Sequence, residues 1–414
     1  MKKTITIVLV LALVGLGGVA RSQTATINVP DDYATIQEAV NAAAPGDTIM
    51  VAHGEYAGAE ILTTVKIIGS GTSTRITTGI PPYGDGFDVL YAGATGTEIS
   101  NLAIEVPSSH GNTSGIVMVQ ANDCTVKDVT IIGDPVRPGS AIEAFLSTNC
   151  TITDNRISGT WTRAIWILVS PDAAVRNNTV SGTCRFGIDA FLSPDTDITA
   201  NTVVVTGWYG IRVHRLSNYT TVKQNTIENF HCTADSGGAP IAVNQSSDCI
   251  ITDNTLINVY YPDSYAQGTG PVAGIRISGW GTWDHPCTNN VILGNDYKKS
   301  GLPGWNKNHP TGPGCVVLED LWYSWGSMYG AAVDNFVSEN HHAYPAGTTI
   351  CEQILDMTAT PENPDGENTE VGMEKCPEVS DYIDRVRDQA EREREEQELL
   401  EEEQQLLEEL SLDE

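Results

Sequence analysis

Residues 164–182 read AIWILVSPDAAVRNNTVSG, and residues 187–207 read GIDAFLSPDTDITANTVVVTG, so one pattern returns after 23 residues. Apolar and polar residues alternate with a period of two, which is the side-chain period of a β-strand. Gly, Asn, Asp, Ser and Pro separate the short runs and favour turns. The repeat aligns one asparagine per period, at Asn155, Asn178, Asn201, Asn225, Asn254, Asn290 and Asn335. A period of this length with about three short strands predicts one coil of a parallel β-solenoid.

A second block repeats in step with the asparagines. It reads GIVMV (115–119), AIEAF (141–145), AIWIL (164–168), GIDAF (187–191), GIRVH (210–214), PIAVN (240–244) and GIRIS (274–278). The isoleucine should point inward, so the next residue and the one two further on point outward. The first outward row is predicted as Val117, Glu143, Trp166, Asp189, Arg212, Ala242 and Arg276. The second outward row is predicted as Val119, Phe145, Leu168, Phe191, His214, Asn244 and Ser278.

These rows and the turn that precedes them are rich in arginine and aromatic residues, although the chain has only 23 basic residues. Arginine binds carboxylates through paired hydrogen bonds, and flat aromatic faces suit sugar rings. The pattern predicts a groove for an acidic polysaccharide. Its candidate binding residues are Trp161, Arg163, Trp166, Arg185, Phe191, Trp208, Tyr209 and Arg215. The alternative is structural, with Asp189 and Arg212 forming an ion pair between coils.

The coils, together with the entry segment INVPDDYATIQEAVNAAAPGDTIMVAHGEY (27–56), resemble the right-handed parallel β-helix of the pectate-lyase-like superfamily. The resemblance covers about residues 26–355 and is specific for the fold. It implies an all-β, right-handed parallel β-helix whose open end is capped by an amphipathic helix near residues 34–44. The superfamily includes polysaccharide lyases, glycoside hydrolases, uronate epimerases and non-catalytic surface proteins, so the resemblance leaves the activity open.

The resemblance to lyases implies catalytic roles for three residues. Lyases of this superfamily remove a proton beside a uronate carboxylate, using Ca²⁺ or another cation and an Arg or Lys base. Arg212 and Arg276 match those parts, with His214 as a base or proton donor. The chain departs from the pattern because no tight Asp cluster marks a calcium site, so no metal ligand is predicted and Ca²⁺ stays a candidate cofactor without a site.

Hydrolysis is the other predicted route. Glu143 and Asp189 lie two coils apart in the first outward row, so their backbones should be about 9.6 Å apart. That spacing is near the range of about 6.5–9.5 Å for the two carboxyl groups of an inverting glycosidase. Trp166 stands between them in the row.

The two ends of the chain differ from the repeats. Residues 1–20, MKKTITIVLVLALVGLGGVA, have the pattern of a signal peptide, cleaved by about residue 25, and the alternative is a membrane anchor. Residues 356–377 are predicted as a linker. Residues 378–414 hold 16 acidic and 4 basic residues and predict an acidic helix, either a short self-associating coiled-coil seam or a solvated helix.

Composition narrows the function classes. The chain carries a net charge of −30, which argues against broad nucleic-acid binding, and its nine cysteines suit an oxidising compartment. After the leader, no segment is apolar enough to span a membrane. The favoured interpretation is a secreted β-helix protein, outside the cell, on its surface or in the periplasm, that binds and cleaves an acidic polysaccharide, as a lyase ahead of a hydrolase. The alternative is a non-catalytic surface or matrix protein that assembles through its acidic helix.

Overall fold

The computed structural model describes residues 24–81, 84–105, 113–133, 139–233, 238–259, 273–279, 287, 289–298, 314–320, 336–338, 341–343, 354–356 and 369–371. Within these ranges the chain is built from short strands that stack in parallel from one coil to the next. The predicted signal peptide and acidic tail lie outside the described residues.

The N-terminal part contains the one α-helix of the described residues and the first strands. Its elements are β1 (Thr26–Val29), α1 (Ile36–Ala42), β2 (Asp47–Val51), β3 (Gly54–Ala57), β4 (Ala59–Ile61), β5 (Val65–Ile68), β6 (Thr74–Thr78), β7 (Phe87–Leu90), β8 (Glu98–Ile104), β9 (Ile116–Val119) and β10 (Thr125–Ile132). Two short 3-10 helices, Gly71–Ser73 and Ala92–Ala94, occupy turns.

The central strands follow the sequence repeat. They are β11 (Ser140–Phe145), β12 (Thr151–Thr153), β13 (Arg156–Ser158), β14 (Thr160–Leu168), β15 (Ala174–Arg176), β16 (Thr179–Phe191), β17 (Asp197–Thr199), β18 (Thr202–Gly207), β19 (Tyr209–His214), β20 (Thr221–Lys223), β21 (Thr226–Glu228), β22 (His231–Cys232) and β23 (Ala239–Asn244).

The C-terminal strands continue the stacks. They are β24 (Ile250–Thr252), β25 (Thr255–Ile257), β26 (Ala273–Gly279), β27 (Val291–Leu293), β28 (Asp296–Lys298), β29 (Gly314–Asp320), β30 (Phe336–Ser338), β31 (His341–Ala343), β32 (Ile354–Asp356) and β33 (Thr369–Val371). β33 pairs with β30 and lies inside the segment that composition predicts as a linker. The domain boundaries stay a prediction.

Three strand stacks form the walls of the solenoid. β12, β15, β17, β20 and β24 pair in one stack, and β13, β16, β18, β21 and β25 pair in the next. β11, β14, β16, β19, β23 and β26 form the third stack, which we call the site wall. β16 bends around a corner and takes part in two stacks, which explains its length of 13 residues.

The core is a column of branched apolar side chains, as the alternation predicts. Ile142, Ile165, Ile188, Ile211 and Ile241 lie in register on the site wall and are fully buried. Each buried side chain of this size stabilises the fold by about 1.5–3 kcal/mol through removal of apolar surface from water. Because their neighbours in sequence point the other way, this column fixes which residues face outward.

An asparagine ladder runs along one corner. The side chain of each buried asparagine accepts from the backbone N–H and side-chain amide of the asparagine one coil earlier, as Asn178 Oδ1 does from Asn155 at 3.1 and 2.9 Å. The ladder continues through Asn201, Asn225 and Asn254.

The predicted next member of the ladder, Asn290, is wrong. Asn254 bonds to Asn295, while Asn290 accepts from the Cys249 N–H. The register Ile250 to Val291 shows the cause, because it aligns Asn290 with Cys249 and Asn295 with Asn254. Two asparagines five residues apart therefore offered two alignments, and strand pairing selected the second.

Helix α1 precedes the first complete coil. Thr35 caps it in a capping box with Glu38, and Ile36, Ala39 and Val40 are its buried residues. The predicted helix near residues 34–44 is present but shorter, and its role as an end cap stays a prediction. None of the helices among the described residues is long and apolar enough to span a membrane.

Candidate functional site

Strand register confirms the order of both outward rows on the site wall. Glu143, Trp166, Asp189 and Arg212 are successive partners in the first outward row, followed by Ala242 and Arg276. Phe145, Leu168, Phe191, His214, Asn244 and Ser278 are partners in the second. A third row comes from the preceding turn and places Arg163, Phe186 and Tyr209 in register. Residues from distant parts of the sequence thus lie one strand spacing apart.

Asp189 joins two arginines of neighbouring coils. Its Oδ1 accepts from Arg212 Nε at 2.8 Å, and its Oδ2 accepts from Arg212 Nη2 at 2.9 Å and Arg163 Nε at 3.0 Å. The carboxylate is 0 % exposed, whereas both arginine side chains reach solvent. Charge-assisted bonds of this kind are strong and directional. Asp189 therefore holds both guanidinium groups in place, as the structural alternative anticipated.

Aromatic rings pack against the guanidinium groups of the arginines. The guanidinium carbon of Arg163 lies 3.8 Å from the centre of the Trp166 ring, and that of Arg185 lies 3.4 Å from the Trp208 ring. Arg212 lies 4.1 Å from the Phe186 ring. We call Arg163, Trp166, Arg185, Phe186, Trp208, Tyr209 and Arg212 the arginine–aromatic cluster.

The rings of this cluster also contact one another. Phe186 stacks on Tyr209 with centroids 5.8 Å apart and meets Trp208 edge-on at 6.2 Å. A guanidinium group covers one face of the Trp166 ring, and another covers one face of the Trp208 ring. These contacts orient the cations and leave less ring surface for a sugar.

Positive charge is concentrated in the cluster. Burial, followed by the charges of Arg163 and Arg212, lowers the pKa of Arg185. Within the cluster and its clamp, three guanidinium groups stand against the one carboxylate of Asp189, so positive charge is in excess. An anionic ligand is the natural complement to the excess charge.

Trp161 does not belong to this surface. It is 5 % exposed, forms part of the apolar core, and donates from Nε1 to the Ser158 carbonyl at 2.9 Å. Within β14 it is buried between Thr160 and Thr162, which are both partly exposed, so it points inward. The prediction of Trp161 as a groove residue is therefore wrong, because its ring packs in the apolar core.

His214 lies beside the cluster in the second outward row. Its ring meets Phe191 edge-on, with centroids 5.2 Å apart, and Arg215 lies 5.4 Å from the Phe191 ring. Burial, followed by the charge of Arg212, lowers the pKa of His214 to about 3. The imidazole is therefore neutral at physiological pH, and its Nδ1 has no hydrogen-bond partner.

Arg276 lies two coils away from Arg212, the other arginine of the first row. Ala242 separates it from Arg212 in register, and it is 3 % exposed. A catalytic role for Arg276 therefore rests on the resemblance alone.

The opposite end of the first outward row is acidic, which the sequence prediction missed. Glu60 and Asp88 are partners in register, followed by Val117 and Glu143. Burial, followed by the charges of Asp85 and Glu60, raises the pKa of Asp88 to about 7. Burial also raises the pKa of Asp85 and Glu143. The signal was available, because GFDVL (86–90) has the pattern of the second repeated block.

Glu143 and Asp189 do not form the pair of carboxyl groups that the sequence predicts for hydrolysis. The two are separated by Trp166 in register, and Asp189 uses both oxygens on guanidinium groups. Asp88 and Glu143 are also two coils apart, about 9.6 Å between backbones, with the smaller Val117 between them. Within the described ranges, no group of three or more His, Cys, Asp or Glu side chains is arranged to hold a metal ion.

Comparison with known proteins agrees with this geometry. Residues 88–256 match the family described as "Right handed beta helix region". The fold is a right-handed β-helix. No curated protein matches the chain.

Solved structures share this β-helix. A variant of DFA-IIIase from Arthrobacter chlorophenolicus A6 is similar with a TM-score of 0.51 and 13 % identity, covering 85 % of this chain and 99 % of that one. The A-module of a mannuronan C-5 epimerase from Azotobacter vinelandii gives a TM-score of 0.44 and 15 % identity, covering 84 % and 100 %. At 13 % identity, the likeness to the DFA-IIIase variant concerns the fold alone.

Proposed function

We propose that the arginine–aromatic cluster of this β-helix binds an acidic polysaccharide. The observation that carries the proposal is the clamp formed by Asp189, which fixes Arg163 and Arg212 side by side through their Nε atoms. Nη1 and Nη2 of Arg163, and Nη1 of Arg212, lie outside this ion pair. They are suited to bind the carboxylates of a polymer, because a guanidinium fork matches a carboxylate in plane.

Cleavage by β-elimination follows from the same arrangement. The two arginines neutralise the carboxylate of a uronate residue, which makes the neighbouring C5 proton more acidic. His214, neutral and adjacent to Arg212, takes that proton. The C5–H electron pair forms the C4=C5 double bond, the C4–O bond breaks, and the leaving oxygen takes a proton from water. The bound carboxylate also offsets the charges of Arg212 and Arg215, which moves the lowered pKa of His214 upward.

Hydrolysis is a second candidate because of the acidic end of the row. Asp88 has a pKa of about 7, and the pKa of Glu143 is also raised, so one of them is able to stay protonated as a general acid. Their backbone spacing suits an inverting arrangement, where the second carboxylate activates water.

The test is incubation of the protein with pectate, alginate, glycosaminoglycans and neutral glucans, each with and without Ca²⁺. New reducing ends report cleavage, and ultraviolet absorbance of the unsaturated product separates elimination from hydrolysis. Arg163→Ala with Arg212→Ala should abolish binding and elimination, whereas Arg176→Ala, on another wall, should retain both. Asp88→Asn and Glu143→Gln should affect hydrolysis alone.

Two results would overturn parts of the proposal. Equal affinity of the double arginine variant and the parent for acidic glycans would overturn the binding site. Binding without cleavage across the panel would favour the non-catalytic surface or matrix protein. In that case, removal of residues 378–414, the predicted assembly helix, should cause the functional loss.

A further inference from the structure

The backbone of Gln245 is fixed by hydrogen bonds at the end of β23, a strand of the site wall. The residue follows β23 directly and has a left-handed backbone with φ of 55°. Its N–H donates to the Ser278 carbonyl at 2.9 Å, and its carbonyl accepts from the Leu216 N–H at 2.8 Å. The backbone of Gln245 is thus tied to the coil before it and to the coil after it, and its side chain has a fixed point of origin.

The side chain of Gln245 is buried without a hydrogen bond. The residue is 1 % exposed, and neither Oε1 nor Nε2 has a partner. Buried amide groups are almost always paired, because desolvation without a hydrogen bond costs free energy. A polymer at the surface cannot reach a group this deeply buried, so a partner for the amide has to come from a neighbouring side chain.

The neighbouring residue His214 also has a buried polar atom without a hydrogen bond. His214 is in register with Asn244, so Gln245 lies one residue beyond its partner strand position. His214 Nδ1 is buried and has no partner either. The Gln245 side chain nevertheless raises the pKa of His214, because its oxygen favours the protonated imidazole. An acceptor and a potential donor without partners therefore lie together.

We propose that Gln245 is a positioning residue for His214, whose Nδ1–H donates to Gln245 Oε1. This bond fixes the tautomer in which Nε2 carries no hydrogen and is the atom that receives a proton from substrate. In the opposite tautomer, Nδ1 would instead accept from the Gln245 amide N–H. The influence of Gln245 on the imidazole favours the first arrangement, because only an acceptor oxygen raises the pKa of His214. The consequence for catalysis rests on the proposed function, but the tautomer itself does not.

Other groups around His214 do not supply this bond. Arg212 and Arg215 are cations, which lower the pKa of the imidazole, and the carboxylate of Asp189 is engaged by Arg163 and Arg212. Phe191 contributes a ring edge contact and no acceptor. Amide orientation in Gln is set by its partners, so rotation of the Gln245 amide is enough to present Oε1.

Nitrogen NMR of the full chain labelled with ¹⁵N-histidine tests the proposal without substrate. The signals of His214 are those that disappear in His214→Phe. We expect the parent protein to show the Nδ1–H tautomer. Gln245→Leu should convert it to a mixture, while Gln245→Glu should retain Nδ1–H and raise the pKa of His214 by about one unit or more, because a carboxylate replaces the amide.

Gln224→Leu is the matched control, since Gln224 is exposed and has the same left-handed backbone with φ of 57°. It should leave the His214 signals unchanged. An Nε2–H tautomer in the parent protein, or Nδ1–H persisting in Gln245→Leu, overturns the proposal. If Gln245→Leu does not fold, the Gln245→Glu variant decides, because an unmoved pKa of His214 there also overturns it. If the spectra are as expected but no glycan is cleaved, the proposed function is refuted and the tautomer proposal stands.

Discussion

Asp189 and Arg212 face each other on adjacent coils and are joined by two hydrogen bonds of 2.8 and 2.9 Å. Arg163 binds the same carboxylate from the coil on the other side. One buried anion therefore sets the spacing of two half-buried cations. Asp189 holds the two guanidinium groups in place, and in the proposed function the arginines are the groups that bind the ligand.

Asp189→Asn should destabilise the chain strongly. The variant leaves two partly desolvated guanidinium groups without their counter-charge, and breaking a buried ion pair costs about 3–5 kcal/mol, with the lower end expected here because both arginines reach solvent. Urea unfolding measures the change. Asp197→Asn breaks the exposed pair with Arg176 and should cost less than about 1 kcal/mol. Equal costs for the two variants would show that Asp189 does not clamp the arginines.

Trp166→Leu should weaken binding of acidic oligosaccharides while the chain stays folded. The ring supports Arg163 at 3.8 Å, and a partly desolvated cation–π contact contributes about 0.5–2 kcal/mol, which corresponds to an affinity loss of about two- to thirtyfold. Isothermal titration calorimetry measures this loss. Tyr91→Leu, an exposed aromatic residue near the other end of the solenoid, is the control and should bind like the parent. An unchanged affinity in Trp166→Leu would separate the ring from the binding site.

Asp88 should make stability depend on pH near neutrality. Its pKa is about 7 in the folded chain against 3.8 for an ordinary Asp, so the folded state holds the proton more tightly. This contribution to stability is present below about pH 4 and is lost as the pH rises through about 7. Asp88→Asn cannot ionise, so it should be more stable than the parent at about pH 8 and similar at about pH 4. Urea midpoints across this range measure the difference.

The control for that experiment is Asp172→Asn, which changes an exposed carboxyl group at a left-handed position that asparagine also tolerates. The difference in urea midpoint between Asp172→Asn and the parent should stay constant from about pH 4 to 8. A constant difference between Asp88→Asn and the parent from about pH 4 to 8 would argue against a raised pKa of Asp88 in the folded chain.

Asn201→Ala should break the asparagine ladder in its middle. The side chain accepts from the Asn178 N–H at 2.9 Å and donates to Asn225 at 3.0 Å, all in buried surroundings. Buried groups left without partners cost about 1–3 kcal/mol each, so the loss should exceed about 2 kcal/mol in thermal unfolding. Asn177→Gly alters an exposed asparagine with φ of 56° and should be nearly neutral. A neutral Asn201→Ala would mean that the ladder contributes little.

The sequence predicted the site wall residue by residue because β-strands have a strict period of two. Once Ile188 is inside, Asp189 is outside, and a constant repeat places Asp189 next to Arg212. The constant repeat does not predict the place of Asp88, since its coil departs from the 23-residue spacing and GFDVL (86–90) lies upstream of the aligned blocks. Asn290 was misplaced for a related reason, because the spacing had already lengthened there.

The sequence by itself determined the parallel coil, the buried isoleucine column and the order of residues along the outward rows. Those features depend on local periodicity, which every repeat carries in its own residues. Only the tertiary structure decided that Trp161 packs inside, that Asp189 is fully buried between two arginines, and that the buried Gln245 amide lies next to the strand position of His214. Burial and partner choice depend on which coils stack and how the chain turns between them, and no single repeat contains that information.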